Sequence, residues 1–131
     1  MPIATSADVR AYWNRHIHDF EVSAHAPGTA GFFADLDAYH FEKLHHLLRL
    51  VDFAAWRGRD VLDVGCGAGV EVVRFGRGGA RVTGVDLSDQ AAALTAANCL
   101  GQGLTARVAV ADGEALPFAD ASFDFVYAHG V

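Results

Sequence analysis

The stretch VLDVGCGAGVE, from Val61 to Glu71, decides the fold of this chain of 131 residues. It begins as a short apolar run of the kind that forms a buried strand, and it continues with glycine at Gly65, Gly67 and Gly69. Glycine lets the backbone turn sharply and come close to a ligand, because no Cβ atom stands in the way. A helix that begins directly after such a loop offers free N–H groups and partial positive charge. The stretch therefore predicts a strand, a ligand-binding loop and a helix.

Strands and helices alternate on the C-terminal side of this stretch. DVLDV, RVTGVDLS, TARVAVADG and FDFVYA are predicted strands. GVEVVRFGRGG is a predicted helix that ends at Gly78 or Gly79, and DQAAALTAANCLGQG is one that Ser88 caps and Gly101 or Gly103 ends. Such alternation is typical of a parallel sheet with helices on its faces.

Two helices are predicted before the sheet. SADVRAYWNRHIHDF has Ser6 as its predicted N-cap and Asp8 in its first turn. SAHAPGTAGFF breaks regular structure, and DLDAYHFEKLHHLLRLVDF then carries apolar residues at helical spacing. We expect one domain over residues 1–131, with a helical cap at 1–58 and a core at 59–131.

Composition excludes several classes of protein. The formal charge of −6, with Lys43 as the one lysine, argues against a nucleic-acid binder. No apolar run reaches the roughly 20 residues of a membrane span, and the N-terminus does not resemble a secretory signal. Cys66 and Cys99 favour free thiols in a reducing cytoplasm, with one disulfide as the alternative. We expect a cytoplasmic protein with no nucleic-acid or membrane partner.

Two kinds of nucleotide site compete for the glycine loop. The dinucleotide fingerprint G-x-G-x-x-G would need its third glycine where this chain has Val70. Asp63 also stands two residues before the first glycine, and a carboxylate there would repel a pyrophosphate. A ligand with an ammonium group and a sulfonium would be attracted instead, which favours S-adenosylmethionine over NAD.

Four motifs, in order and at the right spacing, resemble the class I S-adenosylmethionine-dependent methyltransferases. VLDVGCGAG resembles their first motif, VTGVDLS their second, and ADGEALPFADASFDFVYAHGV their third and fourth. The LPF…SFDFVYA phrase is similar to the small-molecule branch that includes enzymes of ubiquinone and menaquinone biosynthesis. The resemblance covers Arg59 to Val131.

The resemblance implies a Rossmann-like methyltransferase fold of the α/β class, with sheet order 3-2-1-4, and S-adenosylmethionine as cofactor. Asp63 would hold the amino end, Asp86 the two ribose hydroxyls, and Asp112 the adenine edge. The full set of implied cofactor-binding residues is Asp63, Gly65, Cys66, Gly67, Gly69, Asp86, Leu87, Asp112, Gly113 and Glu114.

Simpler roles remain open for several of these residues. Asp63 could cap the glycine loop, and Asp86 and Asp112 could only shape turns. Cys66 is favoured as a small filler rather than a nucleophile. No metal site is predicted, because the histidines at 16–18 and 45–46 lack acids or cysteines at ligand spacing.

The resemblance places the methyl acceptor over the end of strand four, where the chain reads YAHGV. His129 is therefore the predicted general base, with a terminal residue of no catalytic role as the alternative. Five N-terminal aromatic side chains could form either a lid over the site or part of the core, and core is favoured for Trp13. The five are Tyr12, Trp13, Phe20, Phe32 and Phe33.

The family's sheet has seven strands, and this sequence matches the first four, so we expect a C-terminally truncated fold. Strand four would then be an apolar edge with Phe123, Phe125, Val126 and Tyr127, which predicts self-association into a homo-oligomer. The predicted function is methyl transfer to a small molecule. A non-catalytic S-adenosylmethionine-binding protein and, more weakly, an NAD-binding domain are the alternatives.

Overall fold

The computed structural model describes residues 3, 5–15 and 20–129. Its elements are α1 (Ser6–Arg15), a 3-10 helix (Phe20–Val22), α2 (Ala30–Lys43), α3 (Leu47–Leu50), β1 (Asp60–Val64), α4 (Val70–Arg77), β2 (Arg81–Asp86), α5 (Asp89–Gly101), β3 (Arg107–Val110) and β4 (Phe125–Ala128). The four strands are all parallel and form one sheet in the order β3-β2-β1-β4, which confirms the predicted topology.

The register of the sheet brings the strand ends together at one edge. At the end of β1, Val64 pairs with Val85 of β2 and with Ala128 of β4. The loops that follow these strands therefore leave the sheet side by side. At the opposite edge, the Arg81 guanidinium donates two hydrogen bonds to the Asp60 carboxylate, at 2.8 and 3.1 Å.

The two faces of the sheet carry cores of different size. The larger core contains Val61, Val72, Phe75 and Tyr127, which are buried together with aromatic residues of the N-terminal helices. The smaller core holds Leu62, Val85 and Ala111 under the segment 113–124. Alternation along β1 puts Asp63 on the same face as Val61, so this acid points into the larger core.

Local signals place α4 and α5 where the sequence predicts them. Gly78 caps the end of α4, and its N–H donates to the carbonyl of Arg74 at 3.1 Å. Ser88 caps α5 by accepting a hydrogen bond from the N–H of Ala91 at 3.2 Å. Both predictions are confirmed.

The N-terminal helices depart from the prediction. The N-cap of α1 is Thr5 rather than Ser6, because the Thr5 hydroxyl accepts from the N–H of Asp8, and the Asp8 carboxylate accepts from the N–H of Thr5. The predicted extension to residue 20 falls partly on residues 16–19, outside the described residues.

The second predicted helix begins earlier and ends earlier. Thr29 caps α2 by accepting from the N–H of Phe32, so the stretch predicted to break structure opens the helix. A turn at 44–46 then separates α2 from the short α3. Phe32 and Phe33 are buried, which assigns both to the core.

β4 is less apolar at its surface than predicted. Phe125 stacks on Trp56 with ring centroids 4.4 Å apart, and Tyr127 is buried. Val126 is the exposed large side chain of β4, at 55%. None of the helices in the described ranges has the length and apolar character of a bilayer span.

Candidate functional site

A cavity of about 760 Å³ lies at the carboxyl edge of the sheet. The loops after β1, β2 and β3 form its floor, α1 and α2 contribute a wall each, and the residue after β4 closes one end. Ligands of open parallel sheets bind at this edge. Its lining includes Gly65, Gly67, Asp86, Leu87, Asp112, Gly113, Glu114 and His129 from the predicted set.

The glycine loop turns three times through the left-handed region. Gly65, Gly67 and Gly69 have φ of 76°, 58° and 84°, a conformation that other residues adopt only with strain. A Cβ atom on Gly67 would meet no protein atom within 4 Å, so open space lies over this residue. A Cβ atom on Gly69 would lie 2.9 Å from the Thr95 side chain, so this glycine allows close packing of the loop on α5.

Asp86, at the end of β2, is hydrogen-bonded to the loop after β1 and to the loop after β2. Its Oδ2 accepts a hydrogen bond from the N–H of Gly67 at 3.0 Å, and its Oδ1 accepts from the N–H of Ser88 at 2.9 Å. A carboxylate oxygen has a second lone pair, so each oxygen can still accept one more hydrogen bond. The carboxylate is therefore fixed in place and able to accept from two hydroxyl groups.

Asp63 and Cys66 lie beneath the loop rather than in the cavity wall. Asp63 is 2% exposed, and no hydrogen bond reaches its Oδ2 from the part of the chain that the structure describes. Burial raises the pKa of Asp63 well above its usual range, and the charges of Glu71 and Asp86 raise it further. Burial likewise raises the pKa of the Cys66 thiol, which fits a filler and not a nucleophile.

Asp112 shapes its own turn and also holds α1. Its Oδ1 accepts from the N–H of Glu114 at 2.9 Å, and its Oδ2 accepts from the Ser6 hydroxyl at 2.8 Å. These two bonds, the backbone one first, lower the pKa of Asp112. The turn role that the sequence left open is present, and the residue lines the cavity as well.

Helix α1 covers the cavity through contacts that the sequence does not reveal. Asn14 Oδ1 accepts a hydrogen bond from the fully buried hydroxyl of Ser88 at 2.7 Å. Trp13 is 36% exposed and lines the cavity, so the expectation that it belongs to the core was wrong. Tyr12 packs edge-on against Trp13 and is 49% exposed, and the side chain of Phe20 lies outside the described residues.

The remaining wall is polar and comes from three distant segments. His40 of α2 has its Nε2 atom 2.5 Å from Oε1 of Glu71, which lies in the first turn of α4. The His129 ring lies 6.1 Å from the His40 ring, centroid to centroid. One nitrogen or oxygen atom from each of these three residues lies within 4.8 Å of the other two. The sequence carries no signal that pairs His40 with Glu71, because only the docking of α2 brings them together.

The histidine pairs that the sequence did consider are elsewhere. Residues 16–18 lie outside the described residues. His45 and His46 are exposed in the turn between α2 and α3, with ring centroids 6.4 Å apart.

Comparison with known proteins identifies methyltransferases as relatives of this chain. A family model described as "Methyltransferase domain" matches residues 61–131. The demethylmenaquinone methyltransferase of Tropheryma whipplei (strain Twist) is 33% identical over 101 residues, which cover 68% of this chain and 41% of that protein. The ubiquinone biosynthesis O-methyltransferase of Nitrosospira multiformis is 48% identical over 56 residues, which cover 39% of this chain and 23% of that protein. The chain thus spans less than half the length of these relatives.

A solved structure shows the same fold. The geranyl diphosphate C-methyltransferase of Streptomyces coelicolor A3(2), solved in complex with Mg²⁺, geranyl diphosphate and S-adenosyl-L-homocysteine, has a TM-score of 0.68. The sequences are 22% identical, and the match covers 97% of this chain and 54% of that one.

Proposed function

Because the chain belongs to the methyltransferase-domain family, we propose that it binds S-adenosylmethionine at the carboxyl edge of its sheet and transfers the methyl group to a small molecule. The observation that carries the proposal is the junction of Asp86 with the glycine loop. There a fixed carboxylate with free lone pairs borders a cavity of about 760 Å³.

The chemistry of the floor suits such a ligand. The space over Gly67 admits a ligand close to the backbone. Asp86 can accept hydrogen bonds from the two ribose hydroxyls, and Leu87 offers an apolar surface for the adenine beside it. Asp63, buried without a partner for its Oδ2 among the described residues, would favour a cation above the loop. These contacts support an adenosyl ligand over a pyrophosphate.

S-adenosylmethionine supplies an electrophilic methyl group on a sulfonium, and the protein contributes proximity and orientation. Trp13 and the rest of α1 cover the cavity from the solvent side. His129 is the proposed proton acceptor, because it lines the cavity and an imidazole nitrogen can take up a proton. The acceptor loses its proton to the imidazole as the new bond to carbon forms and the bond from carbon to sulfur breaks.

The proposal extends to location and assembly. Cys66 and Cys99 are both free and buried, which supports a reducing cytoplasm.

Among the described strands β4 pairs only with β1, and its exposed Val126 supports self-association at the outer edge. We also propose that residues 1–131 form a single domain, with a helical cap at 1–58 and a core at 59–131. Light scattering at micromolar concentration tests the assembly, and a dispersed monomer would contradict it.

Isothermal titration of the purified chain with S-adenosylhomocysteine, with NADH as the control, tests the central proposal. We expect saturable binding of S-adenosylhomocysteine with one site per chain, and no binding of NADH. The chelator EDTA is present in both titrations, so that only the adenosyl ligand is measured. A folded sample that binds neither ligand, or that prefers NADH, would contradict the proposal.

A further inference from the structure

The polar wall of the cavity contains three side chains of the types that bind cations. His40, Glu71 and His129 come from α2, α4 and the segment after β4, and they converge although nothing in their sequence spacing requires it. Two imidazoles and a carboxylate form one of the ligand sets of catalytic zinc sites, in which a fourth position stays open. All three residues line the cavity, so an open position would face its interior.

Small side-chain movements would bring the atoms of the wall to the distances that a tetrahedral ion requires. Ligand atoms about 2.0–2.1 Å from zinc are separated from one another by roughly 3.3 Å. The three candidate atoms already lie within 4.8 Å of one another. The His40 nitrogen and the Glu71 oxygen, now 2.5 Å apart, would separate by less than an ångström to bind one cation together.

The surroundings also favour added positive charge. Glu71 is buried, with 11% of its side chain exposed, and the buried carboxyl group of Asp63 is near enough for the two charges to interact. Tyr127 adds a buried hydroxyl with no hydrogen-bond partner among the described residues. Two acids under one cavity wall are costly to bury unless a cation compensates them.

We propose that His40, Glu71 and His129 bind a divalent transition-metal ion, such as Zn²⁺, whose open position receives an oxygen atom of the methyl acceptor. This inference rests on the proposed function and narrows its acceptor to molecules with an ionisable hydroxyl. The bound ion would lower the pKa of that hydroxyl, so that its proton leaves to solvent. The oxygen would then attack the methyl carbon of S-adenosylmethionine as the bond from carbon to sulfur breaks and S-adenosylhomocysteine leaves. His129 then acts as a metal ligand, and its role as proton acceptor is confined to the metal-free chain.

Cobalt is the probe, because Co²⁺ occupies zinc sites and gives a visible absorption spectrum. The metal-free chain is titrated with Co²⁺, followed by displacement with Zn²⁺. We expect one ion per chain, a spectrum typical of four-coordinate nitrogen and oxygen ligation, and loss of that spectrum on addition of Zn²⁺. His129→Ala is the main variant because His129 is exposed and its loss leaves the core intact. Removal of a ligand should weaken Co²⁺ binding by at least about 100-fold.

Two further variants make the outcome decisive. Glu71→Gln keeps the size of the side chain and should also weaken Co²⁺ binding by about 100-fold. His45→Ala removes an exposed histidine outside the cavity and should leave the affinity unchanged. Circular dichroism confirms that each variant is folded. No saturable Co²⁺ binding by the unmodified chain, or equal binding by all variants, would overturn the metal site.

The two proposals fail separately. If the chain binds S-adenosylhomocysteine in EDTA but does not bind Co²⁺ in the separate titration, the cofactor site is supported and the metal site is contradicted. Co²⁺ binding that depends on His129, in a chain that binds no S-adenosylhomocysteine, would support the metal site and remove the cofactor assignment.

Discussion

Asp63 and Tyr127 are register partners on β1 and β4, and each buries an oxygen atom that has no hydrogen-bond partner among the described residues. The charge of Asp63 is one cause of the raised pKa of Tyr127, after burial and the charge of Glu71. The floor beneath the glycine loop therefore buries a carboxyl group and a hydroxyl among apolar side chains. That electrostatic setting favours a cationic ligand and should be visible in the pH dependence of stability.

Asp63→Asn tests this setting in the ligand-free chain. Because the folded-state pKa of Asp63 is raised, the folded chain holds its proton at pH values where the unfolded chain has lost it. The contribution of Asp63 to stability is complete below the unfolded pKa of about 3.9 and declines as pH rises towards the folded pKa. The variant should therefore gain stability relative to the unmodified chain as the pH rises above about 4, as followed by thermal unfolding. Asp120→Asn, at an exposed position, is the control, and parallel pH profiles for Asp63→Asn and the unmodified chain would contradict the prediction.

Asp86→Asn tests the ribose contact. An amide has one oxygen acceptor in place of two, so it cannot keep both backbone bonds and also accept from two hydroxyls. We expect S-adenosylhomocysteine affinity to fall by about 10- to 100-fold, which corresponds to hydrogen bonds to a charged group worth about 1.5–3 kcal/mol. Titration calorimetry measures the change, and Asp89→Asn on the exposed first turn of α5 serves as the control. Equal affinity in the two variants would argue against ribose binding by Asp86.

Gly67→Ala and Gly103→Ala form a matched pair. Both glycines have positive φ, 58° and 69°, and a Cβ atom on either would meet no protein atom within 4 Å. Each substitution should cost about 1 kcal/mol of unfolding free energy through left-handed strain alone. Only Gly67 borders the cavity, so only Gly67→Ala should also weaken S-adenosylhomocysteine binding. If both variants bind S-adenosylhomocysteine as tightly as the unmodified chain does, the ligand does not occupy the space over Gly67.

The sheet and its loop residues could be predicted because their signals are local. Glycine stops, the Ser88 cap and apolar runs fix α4, α5 and the strands, and the carboxyl ends of parallel strands must share an edge. The start of α2 was missed because Gly31 is typical of a break. In the structure Gly31 instead permits close approach, since a Cβ atom there would lie 2.8 Å from the His25 ring.

The cavity walls could not be predicted because they depend on how α1 and α2 dock. Ser6 contacts Asp112 across 106 positions of sequence, and Asn14 contacts Ser88 across 74. No periodicity or spacing rule reaches that far. Glu71 lay in the deciding stretch itself, but its partner His40 is on a helix whose orientation only tertiary packing determines.

Asn14→Ala, Ser88→Ala and the double variant measure how firmly α1 is held. Ser88 is fully buried, and its hydroxyl donates to Asn14 while accepting from the N–H of Ala91. Loss of Asn14 leaves a buried donor without its acceptor and should cost about 1–3 kcal/mol of unfolding free energy. Ser88→Ala also removes the N-cap of α5, so only the double-mutant cycle isolates the contact, with an expected coupling of about 1 kcal/mol. Strictly additive losses in denaturant unfolding would show that α1 is not held at this point, and α1 would then be a weaker cover for the cavity than its geometry implies.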